Sequence, residues 1–274
     1  MKLLVMGAGY VGEGLLKYLQ TQPHEVFITT TRRERVDALS CYGCSMLLPK
    51  EDLVFKELID SCDGMIILIA PRNLQSYEEV YLQTAKRVSF ALKDRQTPFY
   101  LLYTSSTSSL EGQQNEWVTE DIVLCPKSEN AKILLETERL YLNCNASVCI
   151  LRLGGIYGPK RELLDRAKRF SGKKMPSSGE EPTNHIHLED IIAAVGFCLG
   201  RSLKGIYHLV NDDHTPRKEL YSHLCQLAGI PCPIWNKDLS KSGYKVCNQK
   251  IKSMGFTFKH PKIQAEDLIK CLSK

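Results

Sequence analysis

The sequence predicts an α/β protein: a Rossmann-like, doubly wound parallel sheet with a small C-terminal lobe. Three observations carry that expectation. The chain opens on a short apolar run, "KLLVM", that passes into "GAGYVG" and then into an amphipathic stretch. Short apolar runs go on alternating with helical patterns through the first half, the signature of βαβ units. Runs such as "MIILIA" show no polar alternation, as expected of strands covered on both faces.

In order, strands are expected at 2–6, 25–30, 45–48, 64–70, 98–104 and 147–153, and helices near 10–21, 33–40, 51–60, 75–93 and 128–144. The last helix has a readable start in "CPKSENAK", where Ser128 can cap and Glu129 suits the positive end of the dipole. Beyond residue 154 the pattern loosens. "GGIYGPKRELLDRAKRF" reads as a loop and helix, and "SGKKMPSSGEEPTN" as an exposed loop. A short strand at "HIH", a helix "LEDIIAAVGFCLG", a strand "GIYHLV" and two or three helices after Thr215 complete the chain.

Composition narrows the function classes. Of 274 residues, 43% are hydrophobic and 24% charged, as in ordinary globular proteins. The net charge of +5 is spread without a long Lys/Arg block, which disfavours a nucleic-acid face and suits small anionic ligands. Eleven cysteines behind no secretory apolar segment point to reduced thiols in a cytoplasm. Cys41 and Cys44 form one CxxC with no second pair to complete a zinc site, so no metal is expected. No apolar run approaches the ~20 residues of a membrane span.

The glycines Gly7, Gly9 and Gly12 fall in GxGxxG spacing between a strand and a helix. Gly7 allows the tight turn, Gly9 lets backbone approach a pyrophosphate, and Gly12 permits close helix–strand packing. The amides that open the helix at Tyr10 and Val11 favour the phosphate charge. An NAD site usually places an acid about 20 residues beyond the turn, on the ribose 2′-hydroxyl. Here the second strand ends in "TTTRRERV", with Arg32 and Arg33 ahead of the first acid, Glu34. Guanidinium groups suit a 2′-phosphate, so NADP is expected over NAD, with Arg32 the stronger candidate.

Four later segments, "FYLLYTSSTSSLEGQQNEWVTED", "LLETERL", "ILRLGGIYGPKREL" and "NHIHLEDII", follow in order after "GAGYVGEGL". Together they resemble the extended short-chain dehydrogenases/reductases. The likeness is nearest to their atypical bacterial branch, the NAD(P)-dependent epimerase/dehydratases or nucleoside-diphosphate-sugar epimerases. The resemblance implies a seven-stranded sheet and a Tyr-x-x-x-Lys pair acting with a Ser or Thr after the fifth strand. Carried over, the Ser/Thr position falls on Ser106, the lysine on Lys132 and the tyrosine on Ser128. No tyrosine lies between Leu110 and Leu140, so the proton-transfer phenol of the family is missing. Ala70 and Pro71 would line the dinucleotide, Ile156 of "GGIYGP" would meet the nicotinamide, and Arg72 could reach a substrate anion. Tyr157 is the nearest other phenol and reads as packing. His185 and His187 share a strand face but lack a third metal ligand.

Residues 1–158 are therefore expected to form an NAD(P)-binding domain. Residues 159–274 are expected to form a substrate lobe, with some of its elements rejoining the sheet. Two functions follow. One is an oxidoreductase or epimerase-like enzyme using Ser106 and Lys132 on a nucleotide sugar or related carbonyl or hydroxyl compound. The other is a catalytically silent NADP sensor or scaffold. The expected partners are small molecules rather than nucleic acid or membrane, and the chain is expected to be a monomer or homodimer.

Overall fold

The computed structural model describes residues 1–71, 76–113, 116–236, 238–239 and 243–263. The chain divides into two compact units. The first comprises residues 1–111, 126–152 and 192–207. Its sheet has seven strands: β1 (Lys2–Met6), β2 (Glu25–Thr30), β3 (Cys44–Leu47), β4 (Gly64–Ile67), β5 (Tyr100–Ser106), β6 (Ser147–Leu153) and β7 (Gly205–Leu209). They lie in the order β7-β6-β5-β4-β1-β2-β3. β1 pairs in parallel with β2 on one side, Val5 opposite Ile28, and with β4 on the other, Val5 opposite Ile66. The strand order reverses between β1 and β4, where doubly wound sheets open a ligand crevice at the carboxyl ends of their strands. The expected α/β class is the one found.

Helices α1 (Tyr10–Leu19), α2 (Asp52–Asp60), α3 (Thr84–Leu92) and α4 (Glu129–Leu142) flank this sheet. Each buries an apolar stripe, such as Leu15, Leu16 and Leu19 on α1. One continuous core joins Met65 and Ile67 of β4, Leu101 and Tyr103 of β5, Val88 of α3 and Leu134 and Tyr141 of α4. The rings of Tyr103 and Tyr141 stand 4.9 Å apart. Truncating such a side chain costs about 2–5 kcal/mol, because the neighbours collapse only partly into the hole.

The observed elements depart from the expected ones in detail. β4 stops at Ile67 rather than residue 70, although Leu68 N still donates to Met6 O at 2.8 Å. The helix expected from 75 is wound more widely over Glu78–Gln83 before α3 begins. The helix expected at 33–40 is a tight turn, Arg33–Arg35, followed by one helical turn, Val36–Leu39.

The second unit comprises residues 112–125, 153–191 and 208–274. Gly155–Tyr157 pairs in parallel with His185–His187, and Lys174–Met175 with Ile234–Trp235. Helices α5 (Leu163–Phe170) and α7 (Arg217–Ala228) enclose a core of Tyr157, Leu163, Leu164, Ala167, Leu220, Tyr221, Leu224 and Cys225. Between them in the chain runs α6 (Leu188–Gly200), which starts in this unit and ends in the first. The loop expected to be exposed at 171–184 is partly interior, with Met175, Ser177 and Thr183 buried. Its short strand pairs with a segment distant in sequence, a contact that turn-residue composition cannot reveal.

The ten cysteines among the described residues are all unpaired. Among those residues, no helix is long and apolar enough to cross a membrane.

Candidate nucleotide-binding and catalytic site

The glycine turn has the geometry that its spacing predicts. Gly7 takes φ +103°, and a Cβ there would lie 2.7 Å from the carbonyl carbon and oxygen of Leu68, just past β4. The turn is therefore pressed against the neighbouring strand at the point where the order reverses. A Cβ on Gly12 would lie 2.1 Å from Gly7 O, so α1 packs on the turn backbone to backbone. Gly9 differs: a Cβ there would meet nothing within 4 Å. Gly9 is also the N-cap of α1 and has no side chain to satisfy the first amides. A ten-residue helix thus begins beside open space with no side-chain cap, which fits a phosphate group.

The second-strand arginines divide by role. Arg32 and Arg33 are exposed, and neither side chain has a bonding partner among the described residues. Arg32 is extended, with its backbone N–H donating to Thr30 Oγ1 at 3.2 Å. The guanidinium that reaches the glycine turn belongs to Arg35. Its Nη1 donates to Ala8 O at 2.6 Å and its Nη2 pairs with Glu13 of α1. Arg35 braces the loop, with Glu13 balancing its charge. Sequence reading missed it because nothing in "RRERV" separates a bracing arginine from a free one. Ala70 is exposed and Pro71 half-buried just beyond β4, and Arg72 lies outside the described residues.

Ser106 ends β5, and its Oγ accepts from Ser108 N at 3.1 Å and donates to Ser108 Oγ at 3.0 Å. Ser105 points the other way, into the core, donating to Glu138 Oε1 at 2.5 Å. Of the two serines, Ser106 is the one left at the carboxyl edge of the sheet. Ser128 caps α4 as expected, accepting from Ala131 N at 3.3 Å, and it donates its hydroxyl proton to Glu111. The Lys132 side chain is half exposed, with Nζ 2.6 Å from Glu129 Oε1. Glu136 is taken by Arg139, at 2.6 Å.

Behind these residues lies a buried ion pair. Arg152 Nη2 donates to Glu138 Oε2 at 2.7 Å and Arg152 Nε to both oxygens at 3.1 Å, with each side chain only 3% exposed. The pair ties β6 to α4, and the Ser105 bond adds β5. Glu138 is thus an interior charge, with Arg152 and Ser105 satisfying its carboxylate.

The remaining candidates belong to the second unit. Ile156 is half-buried, and its carbonyl accepts from Arg166 Nη2 at 2.6 Å. Tyr157 is core, 1% exposed. Burial, with Arg166 nearby, lowers the pKa of His185 to about 4. His187 is buried against the Tyr157 ring, centroids 5.0 Å apart. Lys160, Arg161, Arg166 and Arg169 share a shallow cleft with Glu162 and Asp165.

The fold and its glycine turn define a Rossmann-type α/β protein. Comparison with known proteins places that result. No family model matches the chain. It is 29% identical over 275 residues to Protein YeeZ of Escherichia coli (strain K12), covering 95% of this chain and 96% of that protein. Among solved structures it matches a candidate NAD-dependent epimerase/dehydratase from Methylobacillus flagellatus with TM-score 0.81 at 22% identity, covering 100% and 99% of the two chains. It matches UDP-glucuronic acid 4-epimerase from Bacillus cereus, in complex with NAD, with TM-score 0.77 at 18% identity, covering 100% of both. It also matches human epimerase family protein SDR39U1, with NADPH, with TM-score 0.72 at 15% identity, covering 96% of both. These solved structures share the Rossmann-like α/β fold of this chain.

Proposed function

We propose that the chain binds a nicotinamide dinucleotide at the carboxyl edge of β1 and β4, with NADP preferred. We propose further that it acts as an epimerase- or oxidoreductase-like protein on a nucleotide sugar or a related carbonyl or hydroxyl compound. The observation that carries this reading is the open space over Gly9 at the uncapped start of α1. In this assignment the amides of Tyr10 and Val11 hold the pyrophosphate, and Gly7 and Gly12 keep the turn tight beneath it. Arg32 and Arg33 grip the 2′-phosphate, Ala70 and Pro71 line the far side, and the structures solved with NAD and with NADPH support the cofactor class. When bound, the nicotinamide accepts or returns hydride. Ser106 orients the substrate oxygen, and Lys132 exchanges Glu129 for the cofactor ribose. The exchange is cheap, since an exposed i,i+3 pair contributes only about 0.3–0.5 kcal/mol.

The test is turnover of UDP-glucose and UDP-glucuronic acid with NADP⁺, and of a set of aldehydes and ketones with NADPH, followed by absorbance and by mass spectrometry of products. Oxidised cofactor or an epimerised sugar is expected. Saturable NADPH binding without any such product would sink the enzymatic half of the proposal.

One observation favours a second reading. The Ser128 hydroxyl is committed on both sides, to Glu111 and to Ala131 N. It has no proton free for a substrate where the resemblance implies a tyrosine. In this reading the dinucleotide sets a conformation and no chemistry follows. Cofactor-dependent capture of a partner protein is the expected result, and equal capture with and without NADPH would count against it.

A further inference from the structure

A cluster within the second unit has the composition of a metal centre. We infer that His187, Glu189 and His260 bind a divalent ion of the zinc class. His187 ends the strand His185–His187, Glu189 lies in the first turn of α6, and His260 comes from a segment far along the chain. One nitrogen or oxygen of each lies within 4.8 Å of the others. A common point is then no more than about 2.8 Å from all three, and an ion bound at about 2.0–2.2 Å requires each to move by less than about 1 Å.

The three groups are preorganised. The imidazoles of His187 and His260 stack with centroids 3.7 Å apart, and His260 Nε2 stands 3.1 Å from Glu189 Oε2. His187 is 4% exposed and its ring abuts Tyr157, so it cannot swing away. Asp190, the next residue of α6, accepts the backbone N–H of Lys259 at 2.6 Å and of His260 at 3.0 Å. That carboxylate pins the segment carrying His260 over the helix start, as outer-shell groups do in metal sites.

The chemistry selects the ion class. Two imidazoles and a carboxylate suit Zn²⁺, Co²⁺ or Ni²⁺ and not Mg²⁺ or Ca²⁺, which want oxygen ligands. Lys259 is the competitor, since its ammonium pairs with Glu189 Oε2. That pair is exposed, with side chains 70% and 46% accessible, and an incoming dication displaces it at little cost. The ion would clasp the 260 segment to the start of α6.

The test uses the full chain, stripped with EDTA, with Cys41 and Cys44 changed to Ser so that thiols do not compete. Zn²⁺ is titrated against a chromophoric chelator, and melting is followed with and without the metal. One site and a rise of several degrees in Tm are expected. His260→Gln and Glu189→Gln should each weaken binding at least tenfold, and Lys259→Met should tighten it. His187 is buried and its variant could unfold, so the variants at the half-buried His260 and the exposed Glu189 carry the decision. No protection by Zn²⁺, or binding that survives both variants, overturns the site.

Discussion

Ser128 donates its hydroxyl proton to Glu111 while its oxygen accepts the N–H of Ala131 at 3.3 Å, so one side chain caps α4 and anchors a carboxylate. Ser128→Ala removes both bonds. The expected cost is about 1 kcal/mol, or about 2–4 °C in Tm for a chain of this size, with NADPH affinity unchanged. Ser128→Tyr restores a Tyr-x-x-x-Lys spacing with Lys132. It should raise NADPH-dependent reduction of a reactive dicarbonyl probe above the parent rate if the rest of the site is competent. Melting curves and initial rates check the two variants.

The glycine turn separates binding from folding. Gly9→Ala meets no atom within 4 Å, so the fold should hold, with Tm within about 2 °C of the parent. NADPH affinity should fall more than tenfold, because the methyl group occupies the phosphate approach. Gly12→Ala puts a Cβ 2.1 Å from Gly7 O and should lower stability as well as binding. Equal losses of Tm in the two variants would contradict this division. Calorimetric titration and melting measure both.

Arg32→Ala should weaken NADPH about 10- to 100-fold, the worth of one charge-assisted hydrogen bond at about 1.5–3 kcal/mol, and leave NADH within about twofold. Arg35→Ala should instead lower affinity for both nucleotides, since its guanidinium braces Ala8 O. A parallel loss in Arg32→Ala would reassign the selectivity.

The buried pair gives the largest expected stability effect. Glu138→Gln or Arg152→Met alone leaves one group unpaired in the core, a loss of about 3–5 kcal/mol. Changing both to apolar residues should cost less than the sum of the single changes. Urea denaturation of the two singles and the double measures the coupling.

His185 sets a pH dependence. Its pKa is near 4 in the folded chain against an ordinary 6.5, so between those values the unfolded state binds more protons. Stability should therefore fall as pH drops from 6.5 toward 4, by about 3 kcal/mol in all, and level off below. Glu189 acts lower: its depressed pKa stabilises the fold above 4.5, and that contribution fades toward pH 2. His185→Gln should flatten the upper part of the profile in chemical denaturation.

Much of the fold was legible because burial on both faces of a parallel sheet leaves uninterrupted apolar runs, as in β4 and β5. The tight glycine turn was legible because glycine spacing encodes close backbone packing directly. Contacts that depend on long-range placement were not. Arg35 and Arg32 look alike in "TRRERV", and only the fold brings Arg35 to Ala8. Glu138 looks like a surface charge until Arg152 of β6 comes to meet it. His187 lacked a third ligand in sequence because its neighbour, His260, arrives from the far end of the chain.

Titration of the full chain with NADPH and, separately, NADH tests the central claim most directly. The account predicts saturable binding of NADPH to one site, at least tenfold tighter than NADH, and weakened more than tenfold in Gly9→Ala. Absence of saturable binding of either nucleotide would contradict it.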